Sequence, residues 1–105
     1  PVFQALASCS PAWYFQIIDS FARAGLKYGL SKDSAVEIAA QAMAGAATLL
    51  LAEREAGTIP AQLIDRVTSP GGTTIAGLLA AEEGGLSSAL VGAVDASIHA
   101  DSHLG

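Results

Sequence analysis

From Val67 to Leu78 the chain reads Val67-Thr68-Ser69-Pro70-Gly71-Gly72-Thr73-Thr74-Ile75-Ala76-Gly77-Leu78. This is the stretch whose residue types and spacing point most clearly to chemistry. A Pro-Gly-Gly turn that opens a helix leaves the first backbone N–H groups of that helix without internal partners. The helix dipole adds partial positive charge at the same end. Glycines let a ligand approach the backbone, and the hydroxyls of Ser69, Thr73 and Thr74 add donors. Together they read as a small anion site. It is not a nucleotide P-loop, which would carry a lysine after its last glycine. The competing reading is a hydroxyl-capped helix after a tight turn, a common structural device.

Other candidates have simpler explanations. Asp95, His99 and His103 recur every four residues, a spacing that some metal sites use. Without a second ligand helix they read as a polar face whose histidines suit a helix C-terminus, and no metal is expected. Cys9 lies beside a potential N-cap, where a thiol pKa can fall. No histidine is near it in sequence, so it reads as a small packed thiol. Trp13-Tyr14-Phe15 sits at helical spacing beside Ile17 and Ile18 and reads as core. Glu53-Arg54-Glu55 reads as a solvated helix end.

The elements that must position the loop are helices. Ser10-Pro11 has the signature of a helix start, and the polar positions Gln16, Asp19, Ser20, Arg23 and Lys27 form one narrow face up to Tyr28. The rest of that helix is apolar, which predicts burial on most sides, with Asp19 and Arg23 paired on the exposed strip. Gly29 suits its end, and Ser31 caps a second helix over about 32–55, closed by Gly57. Gly45, in the bulk-poor centre of that helix, suggests another backbone passing close by. Pro60 opens a short third helix through about Val67. A fourth runs from Thr73 to Glu83, and a fifth from about Ser87 to His103 with Leu86, Leu90, Val94 and Ile98 as its stripe. No alternating run marks a strand. The expected fold is all-α, about five helices in one bundle-like domain spanning residues 1–105.

Composition sharpens this. The 105 residues are 51% hydrophobic and 14% charged, with 22 alanines; soluble domains average about 25% charged. At 10.5 kDa a compact fold exposes about 5,400 Å². Fifteen charged side chains dress that area thinly, so apolar patches and hence an oligomer are expected. A net charge of −5 and scattered basic residues argue against nucleic acid and anionic membrane surfaces. The longest uncharged helical run, residues 38–52, is shorter than the roughly 20 residues of a span, which predicts a buried helix. One cysteine and no secretory signal suit a reducing, cytoplasmic setting. The start at Pro1, inside an apolar stretch, reads like a piece of a longer protein.

Ser69-Pro70-Gly71-Gly72-Thr73-Thr74-Ile75-Ala76-Gly77-Leu78, followed by Glu82/Glu83-Gly84-Gly85, resembles the signature of pyrroline-5-carboxylate reductases. Pro11-Ala12, Ala24-Gly25, Gly29-Leu30, Ala39-Ala40-Gln41 and Gly45-Ala46-Ala47 resemble that family's helical C-terminal domain in order and spacing. The likeness runs from about Ala5 to Gly105. It implies reduction of 1-pyrroline-5-carboxylate to L-proline, the last step of proline synthesis, with hydride from NADPH or NADH. It also implies a cofactor-binding Rossmann domain that these 105 residues do not contain, since no Gly-x-Gly-x-x-Gly follows a strand. By the same resemblance the helical domain forms a homodimer, intertwined, or a higher homo-oligomer.

Carried over from the family, Ser69, Gly72, Thr73 and Thr74 hold the substrate carboxylate through hydroxyl and backbone N–H groups. Thr74, the catalytic candidate, also places its hydroxyl near the ring nitrogen. No histidine or carboxylate in the loop offers an acid, so the implied mechanism is mostly positioning. The family usually reads Ser-Gly-Ser-Gly-Pro-Ala-Tyr at the domain entry, where this chain has Ala7-Ser8-Cys9-Ser10-Pro11-Ala12-Trp13. Two alternatives stand beside the main reading: a non-catalytic helical dimerisation module, and a related imine reductase with another substrate.

Overall fold

A computed structural model describes the backbone of residues 1–104 and the side chains through Ala100. Every regular element is helical, and the described residues include no strand, as the patterning predicts. The elements are α1 (Val2–Gln4), a π-helical turn (Ala5–Cys9), α2 (Ser10–Lys27), α3 (Lys32–Ala52), a 3-10 turn (Arg54–Ala56), α4 (Pro60–Val67), α5 (Thr73–Glu83) and α6 (Leu86–Leu104).

Most ends follow from local chemistry. At the end of α2 the N–H of Leu30 donates to the Gly25 carbonyl at 3.0 Å, and that of Gly29 to Leu26 at 3.1 Å. Gly29 has φ +102°, the left-handed residue this C-cap requires. Ser31 accepts the Ser34 N–H on its hydroxyl at 3.1 Å and caps α3. Before α4, the Ile59 N–H donates to the Gln62 side chain at 2.9 Å.

Two expectations fail locally. Ser10 does not cap a helix start, because helix already precedes it. Pro11 has no N–H to donate, and its ring crowds the carbonyl four residues back. The backbone accommodates this by widening into the π-turn, where the Ser10 N–H reaches the Ala5 carbonyl. The Ser10 hydroxyl donates to the Leu6 carbonyl. Cys9 is half-buried within that turn and does not stand beside a helix start. The second helix also stops at Ala52, short of residue 55. There Arg54 donates to the Thr58 carbonyl at 2.8 Å and the Thr58 hydroxyl to Glu53 at 3.0 Å, folding the chain into a 3-10 turn before Gly57 at φ +81°.

Contacts gather in two compact units. In the unit of residues 1–10 and 64–105, the π-turn and α5 both pack on α6. In the unit of residues 11–63, α2 meets α3 at Gly25, where an added Cβ would lie 2.8 Å from the Ala35 Cβ. The close approach expected at Gly45 is not made among the described residues; outside its own helix none of them lies within 4 Å of a Cβ placed there. Asp19 pairs with Arg23 at 3.1 Å, as its spacing predicts, and with Lys32 at 3.0 Å, which tethers α2 to the start of α3. The Lys32 hydrogen bond, aided by Arg23, holds the Asp19 carboxyl below the usual carboxylate range.

The expected burial of α2 and α3 is not achieved by one chain. Among the described residues the buried apolar ones are Ala5, Ala22 and Ala35. Phe15 is 69% exposed, Phe21 63% and Leu51 72%; Tyr14 is exposed and Trp13 half-buried. A groove of about 500 Å³ stands open, with Phe21, Leu30, Ile38, Ala42 and Met43 in its wall. The chain exposes 7803 Å². The reason is geometric: α2 and α3 are apolar around most of their circumference, and 105 residues offer too few elements to cover both. By length and composition alone, α3 is also apolar enough to cross a membrane.

Candidate functional site

The segment joining α4 to α5 is built from short-range hydrogen bonds. Thr68 follows the last residue of α4, and its hydroxyl donates to the Ile64 carbonyl at 2.9 Å. The Ser69 carbonyl then accepts the Gly72 N–H at 3.0 Å, closing a four-residue turn. Gly71, third in that turn, has φ +72°. That is the geometry of a type II turn, with proline favoured at its second position and glycine at its third.

Gly72 is the N-cap of α5, with φ −81° and ψ 174°, and no side chain caps the helix. The hydroxyls of Ser69, Thr73 and Thr74 are not used in capping, and all three residues are exposed. The Gly72 N–H is engaged by the turn, so the N–H groups of Thr73, Thr74 and Ile75 are the open donors of the first helical turn. Gly72 contributes space: a Cβ there would sit 2.6 Å from the Ser69 Oγ and 3.2 Å from its carbonyl oxygen. Gly72→Ala must therefore displace Ser69. It is expected to destabilise the domain by about 1–3 kcal/mol, read as a fall of several degrees in the thermal midpoint. An unchanged midpoint would show that the turn yields freely.

The segment from Val67 to Leu78 carries no basic side chain, so the positive charge it contributes itself is that of the helix N-terminus. Three open N–H donors flanked by two threonine hydroxyls and one serine hydroxyl suit a planar, singly charged anion such as a carboxylate.

The remaining candidates behave differently. Among the described residues no cluster of His, Cys, Asp or Glu could hold a metal ion. His99 lies on α6, while the side chain of His103 lies outside the described residues. Ser8 is exposed, and Ser10 is buried with its hydroxyl turned onto its own helix. Sequence reasoning overlooked Thr68. Its signal was present: a threonine just past a helix end, four residues after a carbonyl it can reach.

Residues 1–104 match the family model for pyrroline-5-carboxylate reductase dimerisation. The chain is 46% identical over 93 residues to a pyrroline-5-carboxylate reductase of Treponema pallidum (strain Nichols), covering 89% of this chain and 34% of that protein. It is 44% identical over 92 residues to human pyrroline-5-carboxylate reductase 2, covering 88% and 28%. Among solved structures it resembles the 1-pyrroline-5-carboxylate reductase of Streptococcus pyogenes, with TM-score 0.85 and 39% identity over 93% of this chain and 37% of that one. It also resembles the Plasmodium falciparum pyrroline carboxylate reductase with NADP bound, with TM-score 0.89 and 28% identity over 99% and 38%. The chain thus spans about a third of the length of the relatives it matches.

Proposed function

The chain belongs to the pyrroline-5-carboxylate reductase dimerisation family, and from that premise we propose that it pairs two subunits of such an enzyme and holds the substrate carboxylate. The carrying observation is the uncapped start of α5 behind the Ser69–Gly72 turn, which leaves carboxylate-sized donors open beside two threonine hydroxyls. In this reading the substrate is 1-pyrroline-5-carboxylate. Its carboxylate accepts from the N–H groups of Thr73, Thr74 and Ile75 and from the Ser69 and Thr73 hydroxyls, and Gly72 leaves room for the Ser69 hydroxyl to stand where it does.

Thr74 then presents its hydroxyl to the ring nitrogen. Reduction of such an imine adds a hydride at its carbon, which NADPH or NADH bound elsewhere would supply, and a proton at its nitrogen, taken from water or already carried by the imine. The loop residues supply neither and act by holding the ring. The work of this domain is orientation. Fixing the ring by its carboxylate, with Thr74 at the nitrogen, is the kind of positioning that lowers a barrier by several kcal/mol. The residues described here do not fit a dinucleotide, since they supply no strand followed by a glycine-rich turn. Cofactor binding is assigned to a Rossmann domain elsewhere in the protein, and a single, half-buried cysteine suits a cytoplasmic setting.

The partner that covers α2 and α3 is a second copy of the chain. Phe15, Phe21 and Leu51 are exposed on these helices, and large apolar side chains of this kind are what obligate dimers bury. Polar Glu37 and Gln41 stand beside Ile38, next to the apolar groove, and polar groups bordering an apolar patch favour a protein partner over lipid.

The test is an assay of the full-length protein. Consumption of NADPH or NADH should depend on 1-pyrroline-5-carboxylate and yield L-proline, while the 105-residue domain alone should show no saturable NADPH binding in the micromolar range by calorimetry. Turnover of other cyclic imines but not this one would favour the related imine reductase. A full-length protein with neither activity would leave the helical pairing module.

A further inference from the structure

Two hydrogen bonds define the loop from Thr68 to Gly72. One is internal, Gly72 N–H to the Ser69 carbonyl at 3.0 Å. The other ties the loop to what precedes it, Thr68 Oγ1 to the Ile64 carbonyl at 2.9 Å. Ser69, Pro70 and Gly71 are exposed, whereas Thr68 is half-buried. The Ile64 carbonyl belongs to the last turn of α4, where carbonyls lack intrahelical donors. The Thr68 hydroxyl satisfies one of them, and threonine, branched at Cβ, holds few χ1 rotamers. The residue that carries the site's first hydroxyl, Ser69, is thus bonded directly to a residue locked onto α4.

We propose that Thr68 is a positioning residue for the substrate carboxylate: its hydroxyl, anchored on the Ile64 carbonyl, fixes where Ser69 and the type II turn stand relative to the open N–H groups of α5. This rests on the carboxylate reading given above. Thr68 touches no substrate; it acts through Ser69. Freed from Ile64, the turn would sample orientations in which the Ser69 hydroxyl and the α5 donors no longer converge, and ground-state affinity for the carboxylate would fall. An anchor of this kind affects substrate binding and transition-state binding alike, so the loss belongs in KM.

The experiment uses the full-length enzyme and compares Thr68→Val, which keeps the shape and removes the donor, with Thr68→Ser, which keeps the donor. Thr68→Val should raise KM for 1-pyrroline-5-carboxylate about three- to tenfold, the loss of about one ordinary hydrogen bond. Its kcat and its KM for the nicotinamide cofactor should stay within twofold of wild type. Thr68→Ser should restore the imine KM. If Thr68→Val does not fold, Thr68→Ala removes the same donor without adding an apolar branch and is read the same way. A KM within twofold of wild type in the donor-less variant overturns the proposal, as does an equal rise in Thr68→Val and Thr68→Ser, which would assign the effect to shape. Ser69→Ala, measured in parallel, separates the two layers, since it removes a proposed carboxylate donor directly. A raised imine KM in Ser69→Ala with unaffected Thr68→Val removes only the anchor, whereas wild-type kinetics in Ser69→Ala removes the carboxylate reading and the anchor with it.

Discussion

Thr74→Ala in the full-length enzyme is expected to lower kcat/KM by about ten- to a thousandfold, with the loss carried in kcat. That is the range found on removing a single donor from a preorganised site. The Thr74 hydroxyl is exposed and takes no part in capping α5, so its loss should cost the fold little. Its proposed use is at the ring nitrogen, whose bonding changes during reduction, and an interaction strengthened there raises kcat. Ser69→Ala should behave differently. A contact to the carboxylate is made equally in the ground and transition states, so its removal should mainly raise KM. Steady-state kinetics on both variants, each confirmed to be folded and dimeric, make the comparison. Wild-type parameters in both would reject the loop as the substrate site and leave the helical dimer as the domain's supported role.

The second large effect concerns assembly. The 105-residue chain should sediment as a stable dimer at micromolar concentration, and Ala42→Glu should convert it to monomer. Ala42 is exposed in the single chain and lines the apolar groove beside Phe21, Ile38 and Met43. A glutamate there is tolerated in an isolated helix, since its helix propensity is close to that of alanine. Across a covered apolar interface it becomes a buried, unpaired charge, which costs about 3–5 kcal/mol. At 1.4 kcal/mol per tenfold, dimer affinity should fall by at least about two to three orders of magnitude. Helical content should persist, because the caps at Ser31 and Gly29 lie elsewhere. A wild-type chain that remains a well-folded monomer at micromolar concentration would contradict the pairing role. A dimer indifferent to Ala42→Glu would move the interface away from this groove.

The sequence by itself determined what depends on near neighbours. The end of α2 at Gly29, the cap of α3 at Ser31, the start of α4 at Pro60 and the span of α5 from Thr73 to Glu83 were all legible. A cap is decided by residues three or four positions apart, and glycine, proline and small hydroxyl residues leave few alternatives there. The ion pair of Asp19 with Arg23 was legible for the same reason. So were the open N–H groups at the start of α5, because they accompany any helix started by a glycine turn.

Only the tertiary structure decided where distant segments meet. Gly45 invited a close helix approach, yet within the chain that approach is made at Gly25 against Ala35. A missing side chain signals room but does not name the neighbour. Lys32 reaches Asp19 across a turn whose path no periodicity reveals. The Gly72 N–H closes a turn onto the Ser69 carbonyl, a pairing set by the turn's geometry. The helix start expected at Ser10 proved to be a π-turn, since a preceding helix can absorb Pro11 by widening. The largest departure is the exposure of α2 and α3. Composition demanded that their apolar faces be covered, but it could not say whether this chain or another covers them. The answer turned on geometry: one copy supplies two apolar helices that meet near their shared turn, and a groove between them that it leaves open.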